Sequence, residues 1–136
     1  MELSTSALLI QGIFSAFEPL NLGLLIFGCL VGLFVGAMPG LGSVNGVAFL
    51  IPITFIVPPT AAIIFLAAVY YGAMYGGAIS SVMLGIPGAS TAVATVFDGR
   101  PLAQKGEAMT SLTAAAVGSF VGGTVSVILF TLFAPL

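Results

Sequence analysis

The stretch Gly32-Leu33-Phe34-Val35-Gly36-Ala37-Met38-Pro39-Gly40-Leu41-Gly42-Ser43 runs apolar and then breaks at Pro-Gly before small polar residues. Ile86-Pro87-Gly88-Ala89-Ser90-Thr91 breaks a second apolar run in the same way. In water such breaks are ordinary turns. Inside a bilayer every freed backbone N–H and C=O needs a partner, so irregular backbone survives only where it is buried in protein or lines a cavity. Two matching breaks therefore point to a binding site within a helical membrane protein.

Composition supports the membrane reading. Of 136 residues, 60% are hydrophobic and 4% charged, and mean hydropathy is +1.29. A soluble domain of this size needs far more polar surface to cover its core. The net charge of -2 rests on Glu2, Glu18, Asp98, Arg100, Lys105 and Glu107, and there is no basic patch for nucleic acid. The single cysteine, Cys29, excludes an intrachain disulfide and reads as a small buried hydrophobe. No basic region precedes the first apolar stretch, which argues against a cleaved signal peptide.

Ala7 to Phe17 is too short to span, and Glu18-Pro19 follows it. Residues 1–18 read as an interfacial helix and residues 19–136 as a transmembrane domain, the N-terminal portion of a longer chain. Leu20 to Met38 has the length of a span. Val44 to Val57 contains Pro52 and closes on Pro58-Pro59, which suits either a half-helix or a kinked span. Thr60 to Ile86 exceeds the hydrocarbon thickness, so it must tilt, kink near Gly76-Gly77, or protrude. Asp98 to Glu107 reads as the one hydrophilic loop, and Met109 to Phe133 as a further span. The loop holds the only Lys and Arg, which places it in the cytoplasm by the positive-inside rule.

Gly28, Gly32, Gly36 and Gly40 recur every fourth residue, and Gly72/Gly76 and Gly118/Gly122 repeat the spacing. Small residues at this interval let helix backbones approach closely, either within one polypeptide or at a homodimer seam. Tyr70, Tyr71 and Tyr75 fall mid-run, where a phenol hydroxyl needs a partner. They suit interhelical hydrogen bonds or a polar cavity better than an interfacial belt.

Without histidine or a second cysteine, catalytic triads, zinc sites and c-type haem attachment are excluded within this chain. Gly40-Leu41-Gly42 begins like a dinucleotide fingerprint, but Asn45 stands where glycine is needed and no strand precedes it. A helix starting after Gly42 instead aims its N–H groups and a partial charge of roughly +0.5 at the break. Paired discontinuous helices of this kind form midplane substrate and ion sites in secondary transporters. The plainer alternative is that Pro-Gly ends two helices at the membrane surface.

Three segments together resemble a known family: Gly32 to Gly42, Tyr70-Tyr71-Gly72-Ala73-Met74-Tyr75-Gly76-Gly77, and Ile86-Pro87-Gly88 running on to Phe97-Asp98-Gly99-Arg100-Pro101-Leu102-Ala103-Gln104-Lys105-Gly106. They look like the large membrane subunit of tripartite tricarboxylate transporters. The resemblance implies a bacterial inner-membrane, multi-pass carrier of carboxylates. It would work with a small membrane subunit and a periplasmic solute-binding protein. Ser43, Val44 and Asn45, and also Ala89 and Ser90, depart from residues common in that family.

The expected fold is all-α and polytopic, with Pro-Gly-broken helices forming part of an inverted-repeat transporter. The substrate and ion site expected from the breaks comprises Gly40, Gly42, Ser43, Asn45, Gly88, Ser90 and Thr91, with Tyr71 and Tyr75 in the cavity beyond. No cofactor is expected. A carboxylate cargo outweighs two helix N-termini, so a coupling cation is expected, Na⁺ before H⁺, with Ser43, Asn45, Ser90 and Thr91 as its ligands. The spans carry no carboxylate to take a proton. Rival readings are an assembly subunit that packs through its glycine faces, and a passive channel.

Overall fold

The computed structural model describes residues 5–133, so Met1–Ser4 of the expected interfacial segment and Ala134–Leu136 lie outside the described residues. The elements are α1 (Thr5–Ala16), α2 (Pro19–Ala37), α3 (Gly42–Leu50), a 3-10 segment (Ile51–Ile56), α4 (Pro59–Leu84), a 3-10 turn (Ser90–Ala92), α5 (Val93–Gln104) and α6 (Ala108–Phe133). The described residues are thus helical almost throughout, and α2, α4 and α6 are long and apolar enough to cross a membrane. Proline sets two of the starts. Pro19 and Pro59 occupy first helical positions, where a missing N–H costs nothing.

The core is the contact of α2 with α4. A methyl group on Gly28 would stand 2.8 Å from the Phe65 carbonyl oxygen, and one on Gly32 or Gly36 would collide with the carbonyls of Val69 or Ala73. The pairs 28/65, 32/69 and 36/73 keep a constant difference, so the two helices run in the same direction. Gly72 and Gly76 reciprocate, pressing on the backbone of α2 at Cys29 and Leu33. Lipid offers no hydrophobic drive between helices, so this backbone-to-backbone approach supplies close dispersion contacts instead. Phe65, Val69 and Ala73 are fully buried by it.

A parallel pair requires a return path. α3 rises about 14 Å and the 3-10 segment about 12 Å, enough to carry the chain back from the end of α2 to the start of α4. Pro52 lies in the 3-10 segment, and Thr54 Oγ1 donates to the Ile51 carbonyl at 2.6 Å. Val44 to Val57 is therefore a half-helix extended by 3-10 backbone. α4 is one unbroken helix. Gly76 and Gly77 are buried packing points within it rather than a kink, and Leu84 lies about 16 Å beyond the level of Ala73.

Three expectations are corrected. Most of the supposed hydrophilic loop is helical, since α5 runs to Gln104 and includes Pro101. Gly99 is buried between Val82 and Ser111, so packing between α4 and α6 overrides the local Pro, Gly and charge signals. Only Lys105 to Glu107 remains as a turn, closed by Gly106 at φ +86°. Cys29 is exposed rather than buried, because its carbonyl side, not its thiol, faces the seam. Gly118 and Gly122 face open space, so their spacing forms no seam among the described residues.

Candidate functional site

α2 ends at Ala37 because Pro39 disfavours helical backbone at Met38, which is extended at φ -84°, ψ 112°. Gly40 and Gly42 then take φ +91° and +68°, a region open to glycine at no steric cost. The chain turns there and starts α3 within five residues of leaving α2.

α4 ends differently. Gly85 caps it in the left-handed conformation at φ +73°, its N–H bonded to the Ser81 carbonyl at 3.1 Å. Ile86 to Ala89 then doubles back along α4, and a methyl on Gly88 would stand 2.5 Å from Ser80 Oγ and 2.7 Å from the Gly77 Cα. The same methyl would collide with the Gly36 carbonyl at the end of α2. From there the 3-10 turn and α5 head outward again, toward the end of α4. Ser81 Oγ fastens this limb by donating to the Ala92 carbonyl at 3.1 Å, while also lying 2.8 Å from the Gly77 carbonyl.

The two breaks meet. A methyl on Gly42 would be 3.8 Å from the Gly88 carbonyl oxygen. Ser43 Oγ and Thr91 Oγ1 each lie 3.5 Å from the same acceptor, the Met74 sulfur on α4. α3 and α5 leave this point in opposite directions, so their N-termini converge on it. Beside it a cavity of about 370 Å³ is lined by Met74, Thr91 and Thr95 and by Ala115, Gly118 and Ser119 of α6. Pockets of a few hundred cubic ångströms suit small ligands.

Gly42, Ser43, Gly88 and Thr91 are thus brought together, with Ser43 and Gly88 buried. Gly40 flanks the group with open space around it. Asn45 and Ser90 are exposed and take no part in the Met74 contact. Tyr75 donates to the Leu112 carbonyl at 3.2 Å, tying α4 to α6. Tyr71 is 64% exposed, edge-on to Tyr70, and lines an open groove against Ser119 and Phe120. Sequence reasoning missed Met74, Ser81 and Thr95. A thioether within an apolar run carries no polar signal, and Ser81 gains its role only when the chain doubles back.

Comparison with known proteins follows the same lines. Residues 22–136 match the family described as Tripartite tricarboxylate transporter TctA family. A relative from Agrobacterium vitis, the "Uncharacterized 52.8 kDa protein in TAR-I ttuC' 3'region", is 40% identical over 124 residues. That alignment covers 91% of this chain and 25% of the relative, so the chain spans about a quarter of its length. No solved structure matches.

Proposed function

Because this chain belongs to the tripartite tricarboxylate transporter TctA family, we propose that it forms part of the membrane-embedded large subunit of a carrier importing tricarboxylates or related carboxylates. The observation that carries this reading is the convergence of both Pro-Gly breaks on Met74, with α3 and α5 pointing their N-termini at one place. Unpaired N–H groups and hydroxyls there receive carboxylate oxygens, and the adjoining cavity admits the rest of the substrate.

The charge balance calls for a cation. Two N-termini contribute about +0.5 each, but α2 ends at the same level and its C-terminus contributes about -0.5. Roughly half a positive charge remains to face two or three negative ones, and burying the excess uncompensated is prohibitive. Carbonyl and hydroxyl oxygens near the breaks suit Na⁺ more than H⁺. The small membrane subunit and periplasmic solute-binding protein are the proposed partners, the bacterial inner membrane the proposed location, and the α5–α6 turn its cytoplasmic side.

Citrate uptake into proteoliposomes by the whole transporter tests the reading. Each hydrogen bond to a charged ligand is worth about 1.5–3 kcal/mol, so Ser43→Ala and Thr91→Ala each lower apparent substrate affinity about 10- to 100-fold with normal assembly. Lost assembly without any change in transport affinity would instead favour the packing subunit. Conductance that persists without the partner subunits would favour the channel.

A further inference from the structure

Below the break cavity the space between α5 and α6 opens again. A second cavity of about 320 Å³ is lined by Asp98, Thr95 and Ser111, with Gly99 and Ala115 in its wall. Thr95 and Ala115 also line the break cavity, so one residue from each helix separates the two. Thr91, Thr95 and Asp98 follow one another at helical spacing, which puts them on one face of the limb that leaves the break.

The groups are held there by packing. Gly99 has no side chain, and a methyl on it would stand 2.7 Å from Val82 Cγ2 and 2.9 Å from Ser111 Oγ. That close approach buries Ser111, 8% exposed, beside the turn of α5 that carries Asp98. Arg100 does not neutralise the site. It lies across the helix from Asp98, its alkyl chain against Gly85 and its Nη1 donating to the Met83 carbonyl at the end of α4. Arg100 thereby caps α4 and leaves the carboxylate to the cavity.

We propose that the Asp98 carboxylate, with the hydroxyl oxygens of Thr95 and Ser111, binds a monovalent hard cation, Na⁺, beside the substrate cavity. The donors are all oxygen. One carboxylate balances one positive charge, whereas divalent ions of this class gather several carboxylates. Among the described residues no cluster of three or more His, Cys, Asp or Glu side chains could hold a metal ion. Asp98 is exposed at the mouth and Ser111 buried at the base, so the carboxylate draws the ion in and the hydroxyls replace part of its water. From Asp98 to Thr91 is about 11 Å along α5 and the 3-10 turn that precedes it. This assignment rests on the transporter reading for its purpose, since the ion supplies the positive charge that the breaks lack.

The test uses the complete transporter with its partner subunits. Thermal unfolding in detergent is followed against NaCl, with choline chloride at equal ionic strength as control, and citrate uptake is followed against Na⁺ concentration. Loss of a charge-assisted contact lowers apparent Na⁺ affinity about tenfold or more in Asp98→Asn. Ser111→Ala shows a smaller loss, Asp98→Glu retains part of the affinity, and Arg100→Gln keeps it. If Asp98→Asn does not fold, Asp98→Glu and Ser111→Ala carry the comparison. Na⁺ affinity unchanged in the Asp98 and Ser111 variants overturns the site. So does stabilisation by choline chloride equal to that by NaCl, or stabilisation by acid alone. Na⁺ stabilisation that depends on Asp98 in a protein that moves no carboxylate leaves the ion site standing and removes the transporter reading.

Discussion

At Gly36 the absence of a side chain decides whether two helices can touch. Its Cα sits against the Ala73 carbonyl, and its own carbonyl meets Gly88, so one residue joins the α2–α4 seam to the second break. Gly23, on the same helix, faces open space. Gly36→Ala forces backbone apart and costs about 1–3 kcal/mol or more, whereas Gly23→Ala changes stability by no more than about 1 kcal/mol, in the favourable direction. Thermal unfolding in detergent separates them. The sequence reads Gly28, Gly32, Gly36 and Gly40 as one seam, but Gly40 lies past the end of α2 with open space around it, and the identical spacing of Gly118 and Gly122 gives no sign that it is bare. Periodicity reports which residues share a face and says nothing of what lies opposite.

Between elements, the informative relation is that α3 and α5 begin at one level and part. Ser43 and Thr91 each lie 3.5 Å from the Met74 sulfur, so their oxygens are no more than about 7 Å apart. With Cys29 replaced by serine to remove the exposed native thiol, the pair Ser43→Cys and Thr91→Cys should be bridged by a short bifunctional thiol reagent. Asn45→Cys with Thr91→Cys should react far less, since Asn45 is exposed and takes no part in the Met74 contact; gel mobility after limited proteolysis between the two positions reads the result. Hydropathy located both breaks to within a residue or two. The second half of α5, from Asp98 on, reads instead as a loop, because Gly99 and Pro101 are turn residues by propensity. Here Gly99 serves close approach, and Pro101 lies inside the helix, where it gives up its bond to the Phe97 carbonyl.

Across the whole molecule, the span lengths and the all-α class were legible from apolar run length alone, and the family expected from the three motifs is the one that residues 22–136 match. The parallel course of α2 and α4 was not. It depends on whether Val44 to Val57 returns the chain, and Pro52 left that segment ambiguous until its 3-10 backbone was seen. A chain cut after Val57 keeps α1, α2 and α3 but loses the partner of the glycine seam. Such a fragment should fail to accumulate in membranes when the full chain does, as pulse labelling and immunoblotting would register.

That parallel seam also sets a clock on biosynthesis. The residue facing Gly28 is Phe65, 37 positions later by subtraction of their numbers. At 5–20 residues per second, α2 waits roughly 2–7 s in the insertion machinery with its glycine groove unfilled. An antiparallel hairpin could close its groove with the very next helix. This chain must first complete a return limb, and the ribosome, rather than the bilayer, governs when its core can form.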